Sequence, residues 1–243
     1  MKKKIEAYPN FSYEKKLWNR GYRNVAGMDE VGRGCFAGPI VCGSVVFSSN
    51  FLITNSKFQI KIDDSKKLTP RQREIADEWI RESAVCWGVG KASVSEINKY
   101  GLSKATASAF RRSLVDAKKR GSDSIDYLLI DAFYIPYVRG YPKGKFEGKK
   151  GSKKPKIFIN GSKQLAVVNG DEKSISIAAA SIIAKVYRDN LMIDLSKKSK
   201  YKKYKWRKNK GYGTKEHQKA IKKYGTTRHH RKKFVETFLN SAK

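Results

Sequence analysis

The chain has 243 residues, 53 of them Lys or Arg against 22 Asp or Glu, a formal net charge of +31. A hydrophobic share of 40% is enough for a packed core, so wholesale disorder is excluded. Charge this far from zero repels itself in the compact state, which disfavours an enzyme of small neutral substrates and points to a polyanion, either nucleic acid or anionic lipid.

Residues 1–5 are basic, but no apolar signal-peptide core follows, and residues 8–23 are polar and aromatic. No stretch approaches the roughly 18 apolar residues of a membrane span. A cytoplasmic protein that does not enter a membrane is expected. Residues 25–29 form a short apolar run ending in acids, and residues 40–47, after Pro39, form a second run rich in Val and Ile. Residues 69–82 read as a helix, with Thr69 at the cap and Pro70 at the first helical position. Residues 83–91 give a third strand. Residues 103–119 carry Ala105, Ala109, Phe110, Leu114 and Ala117 at helical spacing, stopped by Gly121. Residues 125–130 are a strand ending at Asp131, and 165–168 another. Residues 174–195 are a long Ala/Ile helix, apolar nearly all round at its start and therefore buried. Helices follow at 215–224 and 232–240. The order of these elements gives an α/β fold, a mixed sheet with helices packed on it.

Cys35, Cys42 and Cys86 are odd in number and form no Cys-x-x-Cys pair, while His217, His229 and His230 lie far along the chain. Three reduced thiols, rather than a disulfide framework or a zinc site, are expected. Basic charge is concentrated in two places. Residues 195–243 hold 18 Lys+Arg against Glu216 and Glu236, and residues 137–163 hold nine against Glu147. The lysine-rich stretch 139–156 reads as a mobile loop.

Acids are scarce, so their placement is informative. Asp29-Glu30 ends the first strand, Asp131 ends a later one, and Asp189 lies in the buried-looking helix. Singly, such acids are as often solvated turn residues or caps. Together, each follows a strongly apolar segment and is held at the rim of a core. Mg²⁺ or Mn²⁺ is held by a few carboxylates plus phosphate and water, and two such ions about 3.5–4 Å apart activate a water and stabilise the leaving oxygen of a phosphodiester. A polyanion binder with such carboxylates suggests a nuclease.

Five blocks carry a family resemblance. Residues 26–34 (Ala-Gly-Met-Asp-Glu-Val-Gly-Arg-Gly), continuing to Ala37-Gly38-Pro39, resemble the opening signature of ribonuclease HII. Asp64-Ser65-Lys66-Lys67-Leu68, Leu129-Ile130-Asp131, the stretch from Gly170-Asp171 through Ser176 to Asp189, and Gly211 to His217 resemble its later blocks, in family order. The resemblance implies a ribonuclease H-like mixed five-stranded sheet flanked by helices, with a helical C-terminal segment. It implies an N-terminal extension over 1–24, a catalytic domain over 25–195 and a basic segment over 196–243 packed on it. It also implies a monomer that hydrolyses RNA in RNA–DNA hybrids and nicks on the 5′ side of single ribonucleotides embedded in duplex DNA. Asp29, Glu30, Asp131 and Asp189 would be the catalytic and metal-binding set, with Mg²⁺ or Mn²⁺. Gly32-Arg33-Gly34 would meet the ribonucleotide's 2′-hydroxyl and phosphate, Tyr212 would pack against the sugar, and Lys66, Lys67 and Lys185 would contact phosphates.

The sequence departs from the family pattern at Ala132, where glycine is usual, in the long basic insert 139–163, and at 226–231, where a proline-containing turn is replaced. Two rivals remain. Ribonuclease HIII resembles the chain less, because Arg33 replaces the threonine usual there and only 24 residues precede the first motif. A non-catalytic nucleic-acid binder would use Tyr201, Tyr204 and Trp206 to stack on bases.

Overall fold

A computed structural model describes residues 8–50, 60, 62–121, 125–136 and 163–240. The basic stretch 137–162, which contains the whole of the predicted mobile loop 139–156, lies outside the described residues. Five strands form one sheet: β1 (Val25–Val31), β2 (Ile40–Val46), β3 (Cys86–Ala92), β4 (Tyr127–Asp131) and β5 (Gln164–Val167), in the order β3-β2-β1-β4-β5. β1, β2 and β3 pair antiparallel, whereas β1–β4 and β4–β5 are parallel. The mixed sheet predicted from the element order is present.

The helices are α1 (Ser12–Trp18), α2 (Pro70–Ser83), α3 (Val94–Tyr100), α4 (Leu102–Arg120), α5 (Ile175–Lys197), α6 (Ser199–Lys202), α7 (Trp206–Asn209), α8 (Lys215–Tyr224) and α9 (Lys232–Asn240). α4 covers one face of the sheet, where Ala109, Phe110 and Leu114 meet Ala26, Met28, Leu128 and Ile130. α5 covers the other, against Val25, Leu129 and Val45. Alternation along β1 thus assigns even positions to α4 and odd positions to α5. The approach of α5 is close: a Cβ on Gly27 would stand 2.1 Å from the Ser176 backbone. Ile175 to Ala184 is buried without a break, which accounts for the all-round apolar start of this helix. Among the described residues no helix is long and apolar enough to cross a membrane.

Four helices were not evident from the sequence: α1, α3 and the two four-residue helices α6 and α7. α1 is only seven residues long, too short to stand alone. Its Glu14 is fully buried and accepts from the Ser174 hydroxyl (2.6 Å) and the Ser176 N–H (3.0 Å), so α1 caps the start of α5. α3 is announced by a capping box, in which Ser93 and Glu96 each bond the other's backbone N–H.

The aromatic residues of the C-terminal quarter correct the base-stacking expectation. Tyr201, Tyr204 and Trp206 are 3%, 1% and 0% exposed and pack with Ala37, Met192 and Ile221. Tyr204 stacks on Trp206 with centroids 5.3 Å apart. They form a core between α5 and the helices after it and leave no face for a base.

Candidate active site

β1 and β4 are parallel neighbours with Met28 opposite Ile130, so Asp29 and Asp131 follow side by side at the carboxyl ends of the two strands. β1 is also where the sheet changes from antiparallel to parallel pairing, and crevices at such carboxyl ends are the usual ligand sites of open α/β sheets. Odd parity directs Asp29 toward α5, whose Ser181 hydroxyl bonds it. A cavity of about 220 Å³ opens there, lined by Asp29, Glu30, Gly32, Arg33, Ser65, Lys66, Asp131, Asp171, Ser181, Lys185 and Tyr212.

Three of the four predicted carboxylates therefore meet. The fourth member of the group is Asp171, from the turn before α5, rather than Asp189. Asp171 is 5% exposed and receives Lys66 Nζ at 3.3 Å. Its charge acts on both Asp29 and Asp131. Asp189 instead lines an adjoining cleft of about 540 Å³ with Arg73, Lys208, Lys210 and Thr214, which shares Lys185 and Tyr212 with the cavity. It is held by Lys185 Nζ at 2.8 Å and lies 4.0 Å from Arg73. Asp171 stood within a quoted motif, but only the fold shows which of the two acids reaches the strand ends.

The electrostatics match a site that lacks positive charge at its centre. Burial, then the charge of Glu30, pushes the Asp29 carboxyl well above its usual range. Burial raises Glu30 to about 7, although Arg33 at 3.2 Å pulls the other way. Burial raises Asp131 as well, against the Gly170 N–H that donates to its Oδ1 at 2.7 Å. Glu30 Oε2 is buried with no hydrogen-bond partner. An orphaned carboxylate oxygen among three other acids fits a hard, oxygen-seeking cation. Among the described residues no three such side chains already stand as a ready ligand set. Asp131 and Asp171 are turned to Gly170 and Lys66 instead.

The Gly32-Arg33-Gly34 turn borders the cavity, and its two glycines differ. Gly32 has φ +97° and a Cβ there would stand 2.2 Å from Arg188 Nε, so the fold itself demands glycine. A Cβ on Gly34 would meet nothing within 4 Å. Its bareness has no cause inside the protein and leaves the backbone open to an approaching ligand. Two fully buried guanidiniums clamp this loop from below. Arg188 donates to the carbonyls of Ala37, Pro39 and Lys210, and Arg231 to those of Arg33, Gly38 and Pro39. Neither makes an ion pair among the described residues, so both lend positive potential to the turn.

Of the predicted lysines, Lys66 and Lys185 line the cavity. Lys67 does not; it pairs with Glu172 (3.3 Å) and Asp63 (3.8 Å). Tyr212 lines both openings, 39% exposed, with Lys185 and Arg188 5.9 and 5.8 Å from its ring centroid. Sequence reasoning missed Ser65 and Ser181, whose hydroxyls lie 3.0 Å apart behind Asp29. It also missed Arg73, which donates to the carbonyls of Ser65 and Leu68 and so fixes the Lys66 loop. Neither the serines nor Arg73 carries a sequence signal that separates it from any polar residue of a turn or helix.

The sequence profile described as Ribonuclease HII matches residues 26–237. The chain is 43% identical over 228 residues to the ribonuclease HII of Wolbachia pipientis wMel, covering 94% of this chain and 96% of that one. Among solved structures, the ribonuclease H2 of Pyrococcus horikoshii OT3 superposes with a TM-score of 0.60 at 24% identity, over 89% of this chain and 99% of that one. Bst-RNase HIII in complex with Mn²⁺ superposes with a TM-score of 0.58 at 18% identity, over 91% and 71%. At these identities the superpositions speak for the fold.

Proposed function

The chain belongs to the ribonuclease HII family of metal-dependent endonucleases that act on RNA–DNA hybrids, and we propose that it also nicks duplex DNA on the 5′ side of a single embedded ribonucleotide. The observation that carries this reading is a cavity that gathers four carboxylates, Asp29, Glu30, Asp131 and Asp171, and is bordered by Gly32 and Arg33, with the exposed, unobstructed backbone of Gly34 next along the same turn. The 2′-hydroxyl is the group that separates RNA from DNA at one nucleotide without reading its base. A bare turn beside the carboxylates is suited to meet it.

Asp29, Glu30, Asp131 and Asp171 would hold Mg²⁺ or Mn²⁺. Bound there, two such cations would supply an activated water and charge stabilisation for the departing oxygen. The protein does the rest. Arg33, Lys66 and Lys185 fix the backbone in line, and positioning of this kind is a large part of phosphodiester catalysis. Tyr212 packs against the ribose and Gly34 admits its 2′-hydroxyl. Water adds to phosphorus and the P–O3′ bond breaks, leaving a 3′-hydroxyl and a 5′-phosphate. The departing oxygen belongs to the nucleotide before the ribonucleotide, so the 2′-hydroxyl is recognised without acting as the nucleophile. Asp189 keeps Lys185 aimed at the backbone and stays off the cations. Such an enzyme removes misincorporated ribonucleotides and RNA primers. The reading further includes a monomeric, cytoplasmic enzyme with a catalytic domain over 25–195 and a basic C-terminal segment, 196–243, as its accessory.

The test is a substrate comparison with Mg²⁺ or Mn²⁺, with and without chelator. A duplex with one ribonucleotide, a long hybrid and an all-DNA duplex are incubated in parallel. Cation-dependent nicking of the first two and none of the third is expected. Cleavage of the long hybrid alone would favour the specificity of ribonuclease HIII.

A further inference from the structure

Tyr212 is held from behind by a chain of buried hydrogen bonds. His217 is fully buried, and its Nδ1 lies 2.8 Å from the Tyr212 carbonyl oxygen. A carbonyl only accepts, so Nδ1 carries the proton and Nε2 is bare. That bare Nε2 accepts from Trp206 Nε1–H at 3.1 Å and faces His230 Nε2 at 3.2 Å. His230 Nδ1 in turn accepts the Thr227 N–H at 2.8 Å, so its proton sits on Nε2 and points at His217. The Trp206 and His230 donors share the single lone pair of His217 Nε2, and the Tyr212 carbonyl and the Thr227 N–H fix which nitrogen of each ring carries the proton. Both imidazoles are neutral in this arrangement, and burial pushes His217 down and His230 down to about 4.

The near end of this network is the backbone of Tyr212, whose N–H donates to the Asn209 carbonyl and whose own carbonyl also takes the Thr214 N–H at 2.9 Å. In front, Tyr212 forms a backbone bridge with Cys35, next to Gly34. The cysteine thiol and the tyrosine hydroxyl lie within hydrogen-bonding reach of one another. The ring is thereby fixed between the Gly34 turn and the buried histidine.

We propose that His217 is a positioning residue for Tyr212, its Nδ1–H donor locked by Trp206 and His230, and that it sets how well the tyrosine meets the ribose. This rests on the sugar-contacting role proposed for Tyr212. The two ring nitrogens make different predictions, because asparagine places an amide N–H near Nδ1 and glutamine places an amide oxygen near Nε2. H217Q keeps the acceptor for Trp206 and His230 but loses the donor to Tyr212. H217N keeps that donor and strands two buried donors.

The experiment measures both variants for melting temperature, for KM and kcat on the single-ribonucleotide duplex, and for amide exchange of the 209–214 segment without substrate. H217Q is expected to melt near the wild type, with KM raised about tenfold and faster exchange at Tyr212. H217N is expected to melt roughly 4–8 °C lower with a near-normal KM. KM and exchange that follow melting temperature in both variants would overturn the proposal and leave His217 a purely structural residue. A wild-type protein that nicks no ribonucleotide would instead overturn the reading of the site, and the exchange result would still decide the positioning role.

Discussion

Lys185 Nζ lies 2.8 Å from Asp189 Oδ1, one turn along α5, and Lys185 lines the cavity at the strand ends whereas Asp189 lines the cleft beside it. The fourth acid of the cavity is Asp171. Replacing it should then resemble replacing Asp29. D29N and D171N are each expected to lower kcat by on the order of 10²–10³-fold or more while duplex binding stays measurable. D189N should lower kcat by less than about tenfold and act through KM, since it frees Lys185. Steady-state kinetics on one nicking substrate checks all three. Full activity in D171N would return the fourth position to Asp189.

Glu30 makes stability and cation binding depend on pH. Its folded carboxyl titrates at about 7, above an ordinary glutamate at about 4.5. Between those values the folded state holds a proton that the unfolded state has released. Stability of the cation-free protein therefore falls as pH rises through this window, by up to about 3 kcal/mol from this group. A divalent cation should reverse the trend, because it binds the ionised form and its affinity climbs with pH. The measurement is the melting temperature from pH 5 to 8 in chelator and in Mn²⁺, as the difference between wild type and E30Q. A difference that does not change with pH would show that Glu30 is not strained by burial.

Ala132 follows Asp131 with φ +41°, in the left-handed region that costs an L-residue about 1–2 kcal/mol. A132G should relieve that strain, less the greater chain entropy of glycine. A net gain of about 0.5–1 kcal/mol, or roughly 1–3 °C in melting temperature, is expected. A lower melting temperature would mean that the turn is not strained.

The same stretch shows what the sequence discloses. Asp29 and Asp131 were legible because each ends an apolar strand, and parity alone sends Asp29 to the α5 side. The start of α2 was legible from chemistry, and Thr69 and Gln72 do form the capping box there. Asp171 against Asp189 was not legible, since both sit in motif-like surroundings and only the fold decides. α1 was hidden because its support comes from the far end of the chain, where Ser174 and Ser176 bind Glu14. Tyr201, Tyr204 and Trp206, interleaved with lysines, have the pattern of a stacking surface. Their burial with α5 is a tertiary fact that local spacing does not carry.

Much of the positive charge is assigned to backbone binding. The segment 195–243 carries 18 Lys+Arg, but the buried Arg231 is bound to backbone carbonyls and does not count toward phosphate contacts. Lys208 and Lys210 line the cleft beside the cavity. Duplex affinity should fall at least about a hundredfold between 50 and 200 mM salt. Removing Lys208 and Lys210 together should flatten the slope of log K against log salt by up to about two. An unchanged slope would place the duplex elsewhere.

The chemistry of the cut ends tests the central claim most directly. A duplex with one ribonucleotide is cleaved in Mg²⁺ or Mn²⁺, and both new ends are identified by mass spectrometry. The expected products are a 3′-hydroxyl on the preceding deoxynucleotide and a 5′-phosphate on the ribonucleotide, none of it formed in chelator. A 2′,3′-cyclic phosphate on the ribonucleotide, or cleavage that survives chelation, would contradict the assignment of the carboxylates to cation-dependent hydrolysis.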